Sequence, residues 1–227
     1  MKLLAFFVAL GLSVAAPADT VTNVFQRSEG LAIPDANPAG LTSTNIISNI
    51  PGNIQSISVT LDITGGFNGD LYAYIVFDDG FAVLLNRIGK SDTSPFGADS
   101  SGMTITLSDS SATDVHLSLD TGGSLLTGIW QPDGRNTSPQ TVLTTDPRNA
   151  MLSTFNNKSP NGTWTLFVAD LASGYQANLQ SWEVTVVADT GSVPEPGSLS
   201  ILTVVLAGFW GWHFWSSRRR QKRKAAL

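Results

Sequence analysis

The 227-residue chain contains no cysteine. That excludes a disulfide scaffold, a thiolate zinc site, an iron–sulfur cluster and a cysteine nucleophile. Charge is scarce too, with Asp, Glu, Lys and Arg at 14% of the residues, against roughly 25% in an ordinary soluble domain. There are only two histidines, His116 and His213. A serine nucleophile needs a base to take its proton and an acid to orient that base, so Ser–His–Asp catalysis has almost nothing to draw on. His213 lies in an apolar segment near the C-terminus. His116 alternates with Val115 and Leu117, which turns it toward water if those two face the core. From Asp19 to Ser192, 17 acidic residues face six basic ones, a net of −11. A field of that sign repels phosphate backbones, so no nucleic-acid partner is expected. With 42% hydrophobic residues the chain is too apolar for disorder, and its length suits one ordinary domain.

The most informative residues stand at the two ends. Met1-Lys2 precedes an apolar stretch at 3–14 of signal-peptide length, short of the roughly 20 residues a membrane span requires. Cleavage after Ala16 would leave Pro17 at the new N-terminus. The triplet Ala16-Pro17-Ala18 is the better processing site, which makes 1–18 the signal peptide, cleaved after Ala18. Residues 199–215 are uncharged and mostly apolar. As a helix they reach about 25 Å, and Trp210, Trp212 and Trp215 crowd one end as an aromatic belt would. The tail at 216–227 carries Arg218, Arg219, Arg220, Lys222, Arg223 and Lys224, a stop-transfer flank that marks the cytoplasmic side. In the linker at 189–198 stands Val193-Pro194-Glu195-Pro196, held extended by its prolines and unable to join a sheet. This order of parts resembles the PEP-CTERM sorting signal of exported proteins in Gram-negative bacteria that make exopolysaccharide. The resemblance implies signal peptidase and an exosortase as partners. It also implies a transient inner-membrane anchor, then release to the cell surface or medium.

Between these ends the chain reads as all-β. Ile57, Val59, Leu61 and Ile63 alternate with polar residues, as a half-buried strand requires. The same period recurs at Leu71-Ala73-Ile75-Phe77, Met103-Ile105-Leu107, Val115-Leu117-Leu119, Trp164-Leu166-Val168 and Trp182-Val184-Val186. Turn residues separate them, and the close spacing of short strands predicts a β-sandwich over 55–188, with 19–54 as its N-terminal segment. Residues 123–147, rich in Pro, Asp, Thr and Asn, are expected to form a long surface excursion.

Two stretches go beyond a generic sandwich. The first runs from a strand at 57–64 through Asn68-Gly69-Asp70-Leu71 and a second strand to Asp78-Asp79-Gly80 and Ala82-Val83-Leu84-Leu85. The second runs from Phe155 through Asn161-Gly162-Thr163-Trp164 to Asp170, Leu179 and Trp182. Together they resemble the P domain (P/Homo B) that follows the catalytic domain of proprotein convertases and many bacterial subtilisin-like proteases. The resemblance spans about 55–188, departs from the family pattern at about 89–153, and carries nothing over for the segment 128–134. It implies a jelly-roll β-sandwich of the P-domain, galactose-binding-like kind. The motif residues carried over are Gly69, Asp70, Leu71, Gly162, Thr163, Trp164, Asp170 and Trp182. On physical grounds Gly69 is expected to supply a conformation costly for other residues and Asp70 to accept turn amides. Trp164 and Trp182 are expected as core anchors, and Asn161-Gly162 as the tight turn of a hairpin.

No subsequence offers the Asp, His and Ser signatures of the proteases that P domains accompany, so no catalytic residues are assigned. The triplets Asp120-Thr121-Gly122 and Asp189-Thr190-Gly191 mimic aspartic-protease loops, but Asp-Thr-Gly after a strand is also common turn chemistry. No cofactor or metal is expected. Asp70, Asp78, Asp79 and Asp99 are the hard-oxygen donors from which a structural calcium would draw, although no calcium-loop motif is present. The sequons at Asn136, Asn157 and Asn161 matter only where a glycosylation system reads them. The leading expectation is a non-enzymatic surface or matrix protein, sorted by exosortase and associated with exopolysaccharide. One alternative is a carbohydrate-binding module using Trp130, Tyr72, Tyr74 and Tyr175. Another is an accessory domain of a subtilisin-like serine protease, the origin of any endopeptidase label.

Overall fold

The computed structural model describes residues 19–118 and 123–191, and the sandwich occupies Thr20–Thr190. The signal peptide with Ala18, the 193–196 motif, the 199–215 segment and the basic tail with His213 lie outside the described residues, as do Leu119 and the Asp120-Thr121-Gly122 triplet. No helix of the described residues is long and apolar enough to cross a membrane.

Alternation of apolar and polar side chains drives the strands. Nine are described: β1 (Thr20–Ala32), β2 (Leu41–Ile47), β3 (Asn53–Gly65), β4 (Leu71–Phe77), β5 (Gly80–Asn86), β6 (Met103–Ser108), β7 (Leu126–Trp130), β8 (Gly162–Asp170) and β9 (Ala177–Asp189). They form a five-stranded sheet ordered β1-β9-β3-β6-β7 and a four-stranded sheet ordered β2-β8-β4-β5. All pairs are antiparallel except β6–β7. With β7 set aside, the chain alternates between sheets except at the β4–β5 hairpin, the order of the two interleaved Greek keys of a jelly roll. The expected all-β sandwich is therefore what forms.

Irregularities keep the apolar faces aligned. Ile54 and Ile57 both face the core although they differ in parity, because the β3–β9 register shifts between Ile54 and Ser56. A second shift, between Asp62 and Ile63, lets Leu179 and Trp182 both point inward. The core fills from both sheets and centres on Trp164, fully buried and stacked on Phe77 at 4.2 Å between ring centroids, with Phe155 at 5.0 Å. Each buried indole finds an acceptor, Trp164 at the Pro160 carbonyl (3.0 Å) and Trp182 at Ser43 Oγ (2.7 Å). Ser43 in turn bonds Glu29, so β9, β2 and β1 are tied across the two sheets.

Four expectations change. Val115–Leu117 is a short 3-10 turn rather than a strand, because the Asp114 carboxylate caps the His116 amide at 2.9 Å. The turn also inverts the expected facing, with His116 buried and Leu117 exposed. Gly69 has no left-handed backbone, and its role is close approach: a Cβ there would lie 2.5 Å from Ala98 N. Asn161-Gly162 turns no hairpin. The Asn161 side chain clamps the backbone N–H and carbonyl of Ile50 at 2.9 and 2.7 Å, and Gly162 opens β8 where a Cβ would crowd Phe77. Finally, 123–147 is no plain surface excursion, since it contributes β7 and then buries Asp133 and Arg135.

Removing the Trp164 ring should leave a cavity beside Phe77 and Phe155. Trp164→Ala is expected to cost about 3–5 kcal/mol in denaturant unfolding. Ile46→Ala, at an edge position with 72% exposure, should shift stability by no more than about 0.5 kcal/mol.

Candidate functional site

Four of the motif residues, Gly69, Asp70, Leu71 and Asp170, meet at one end of the sandwich, while Gly162, Thr163 and Trp164 open β8 at its other end and Trp182 lies within β9. The 3-10 turn Asn68–Asp70 delivers the chain into β4, whose first residue, Leu71, lies opposite Asp170 at the end of β8. The Leu171 amide donates to the Asp70 carbonyl at 2.9 Å. Asn68 is buried and donates to Ser100 Oγ and the Gly102 carbonyl. The Asp70 carboxylate is paired rather than turn-capping: Arg87 Nη2 donates to it at 3.4 Å, while Arg87 Nε donates to the Gly69 carbonyl at 2.9 Å. Burial raises the Asp70 pKa, with Arg87 opposing. Burial lifts Asp170 further, from 3.8 to about 6, the Ala172 amide opposing and Asp70 and Asp35 adding to the rise. Between the 3-10 turn, the β5–β6 loop and the β8–β9 loop opens a cavity of about 320 Å³, lined by Phe67, Phe96, Asp70, Asp99 and Ser173 among others.

Beside this end lies a buried ion network that sequence reading missed. Arg135 donates to Asp114 at 2.8 Å, to Asp133 at 3.2 Å and to the Thr144 carbonyl at 2.9 Å. Arg148 donates to the carbonyls of Pro132 and Asp133 and to Gln131 Oε1. His116 Nδ1 sits 2.7 Å from Asp133 Oδ2, and its Nε2 sits 2.9 Å from the Lys90 carbonyl. That carbonyl can only accept, so Nε2 donates to it. Neither ring nitrogen is left to take a proton from a hydroxyl. One signal for this cluster was available: with only six basic residues between 19 and 192, Arg135 and Arg148 are too rare to be solubilising decoration.

The other candidate residues are placed apart. Trp130 is half-buried against the core and donates to the Thr127 carbonyl at 2.9 Å, so it offers no flat exposed face. Tyr72 and Tyr74 join Phe81 and Phe167 in a row of ring contacts, the Tyr74–Phe167 pair stacked at 4.7 Å. Tyr175 is 70% exposed and meets Phe67 edge-on at 5.1 Å. Asp78 and Asp79 form the β4–β5 turn, where Asp79 bonds Lys158. Among the described residues no group of three or more acidic or histidine side chains is placed to hold a metal. Leu71 is buried in the core, Thr163 is exposed at the start of β8, and the sequon residues Asn136, Asn157 and Asn161 are all exposed. Asp189 ends β9 opposite Thr20 and Asn53.

No protein-family model matches the chain, and no curated protein matches it. Among solved structures it is similar to the serine protease of Aeromonas sobria, at 17% identity and a TM-score of 0.43. It is also similar to a chain in the complex of that protease with its chaperone, at 18% and 0.44. Each match covers 75% of this chain and 27% of the other. The chain thus spans about a quarter of the length of those matched chains, whose activity is not transferred to it.

Two outcomes follow from the buried charges. Arg135→Ala removes the guanidinium shared by the buried Asp114 and Asp133 and should destabilise by about 3–5 kcal/mol in chemical denaturation. Asp170 carries a raised folded pKa, so its neutral form favours folding at low pH, and that contribution is lost as pH climbs from about 4 through about 6. Relative to wild type, Asp170→Asn should therefore gain melting temperature between pH 4 and pH 7. An unchanged gap across that range would refute desolvation of Asp170.

Proposed function

We propose that this chain is a non-enzymatic, exported jelly-roll module of the P-domain type, sorted by an exosortase and held in an exopolysaccharide-rich envelope. The observation that carries the non-enzymatic reading is His116, the one imidazole among the described residues, with both nitrogens committed inside the protein. The arginines beside it likewise serve as internal struts. The rings that the sandwich turns outward are Phe96 and Tyr175 at the loop end and, half-buried, the row around Tyr74. Sorting is supported by the 193–196 motif, the apolar segment behind it and the basic tail.

A second reading, an accessory P domain of a subtilisin-like protease, is favoured by one feature. Gly69-Asp70-Leu71 and Asp170, distant in sequence, adjoin where β4 meets β8.

Intact mass and fractionation from the native host, with and without its exosortase gene, test the first reading. A mature form ending near residues 193–196, outside the inner membrane only when exosortase is present, is the expected result. Full-length protein in the inner membrane of both strains would overturn it.

A further inference from the structure

The cavity at the loop end has a chemistry that the motif residues alone do not explain. Phe96 is 78% exposed, yet its loop is fixed: Ser94 N bonds Ser91 Oγ, Gly97 N bonds the Ser94 carbonyl, and Ala98 N bonds the Ile88 carbonyl at 2.7 Å. A large apolar ring is thus presented to water from a hydrogen-bonded loop. Across the cavity stands Phe67, with Tyr175 edge-on against it. The polar wall is acidic. Asp70 is 7% exposed and lines the cavity, and its Oδ1 takes one long bond from Arg87. Asp99 lines the cavity as well. Behind them Asp170 and Asp35 add negative charge, the latter bonded to the Gly174 amide at 3.2 Å. Among the described residues, Arg87 is the guanidinium paired into this group.

Aromatic faces beside carboxylates are the environment in which a cation is bound through its charge and its carbon surface together. About 320 Å³ falls at the small end of ligand pockets, room for a single small ring. The net of −11 over residues 19–192 also disfavours uronic or sulfated glycans. We infer that the cavity between Phe67 and Phe96 binds a protonated amino sugar, the pyranose ring against the two aromatic rings and its ammonium toward Asp70 and Asp99. The source of that sugar as a glycan rests on the envelope reading above; the site itself does not depend on exosortase.

Full-length protein in detergent, titrated calorimetrically, decides the matter with three probes: a glucosamine hexamer, its fully N-acetylated counterpart and an oligolysine of equal charge. The glucosamine hexamer should bind at least about tenfold more tightly than the acetylated one, and Phe96→Ala and Asp99→Asn should each weaken it by about tenfold. Tyr74→Ala, on the separate aromatic row, should leave binding unchanged. Equal binding of the two hexamers overturns the cationic assignment. Oligolysine bound as tightly as glucosamine overturns the sugar in favour of a protein partner. Loss in Tyr74→Ala with Phe96→Ala unaffected moves the site off this cavity, and no binding removes it. A protein released by exosortase that binds only the acetylated hexamer keeps the envelope reading and loses this one.

Discussion

Everything in this sandwich waits on its last two strands. Among the described strands, β2 pairs with β8 alone and β1 with β9 alone. β9 also pairs with β3 along its length, and β8 with β4. Each sheet therefore has a late strand in its interior, and neither can close before the chain is nearly complete. Such long-range pairing incurs its loop-closure entropy before contacts repay it, which predicts slow, cooperative folding. The tie from Trp182 through Ser43 to Glu29 bonds the late strand to both early ones.

How far the sequence could be read follows from which strands are buried on one face only. β3, β4, β6, β8 and β9 alternate cleanly because one face meets the core and the other meets water, so periodicity exposes them. β1 and β7 are edges whose residues are mostly exposed on both faces, and alternation has nothing to record there. The Val115-Leu117 alternation misled for a different reason: a side-chain cap from Asp114 outweighs the weak preference of three residues. The candidate site was legible at Gly69, Asp70 and Asp170, where a Gly-Asp turn leads into one strand and an Asp closes another. The ion network was not, since its partners lie 17 and 21 positions apart and resemble ordinary loop charges.

The glycines show how a correct position can carry a mistaken cause. Gly69 was expected for its conformational freedom, yet its backbone is accessible to any residue. What excludes a side chain is the 96–98 segment, whose backbone atoms sit within 3 Å of where a Cβ would stand. Gly97 returns the constraint, with a Cβ there reaching Gly69 Cα at 2.9 Å. Two backbones in mutual contact form the floor beneath Phe96, and Arg87 seals one side by donating to the Gly69 carbonyl. The motif glycine therefore acts on the cavity by letting a loop settle against the sheet end.

The buried network completes that support. Residues 131–150 bring few apolar side chains to the core, Val142 and Ala150 among them, so hydrophobic burial alone holds them weakly. The guanidinium forks of Arg135 and Arg148 instead satisfy loop carbonyls while neutralising Asp114 and Asp133. Buried ion pairs seldom add net stability over apolar packing, but they fix geometry where many carbonyls need donors. His116 carries that order onward. Its carbonyl accepts from the Gly89 amide and its Nε2 donates to the Lys90 carbonyl, which pins the first residues of the loop that ends in Phe96. A charge cluster in the interior thereby braces the backbone that presents Phe96 at the surface, which lowers the loop-ordering cost of anything that binds there.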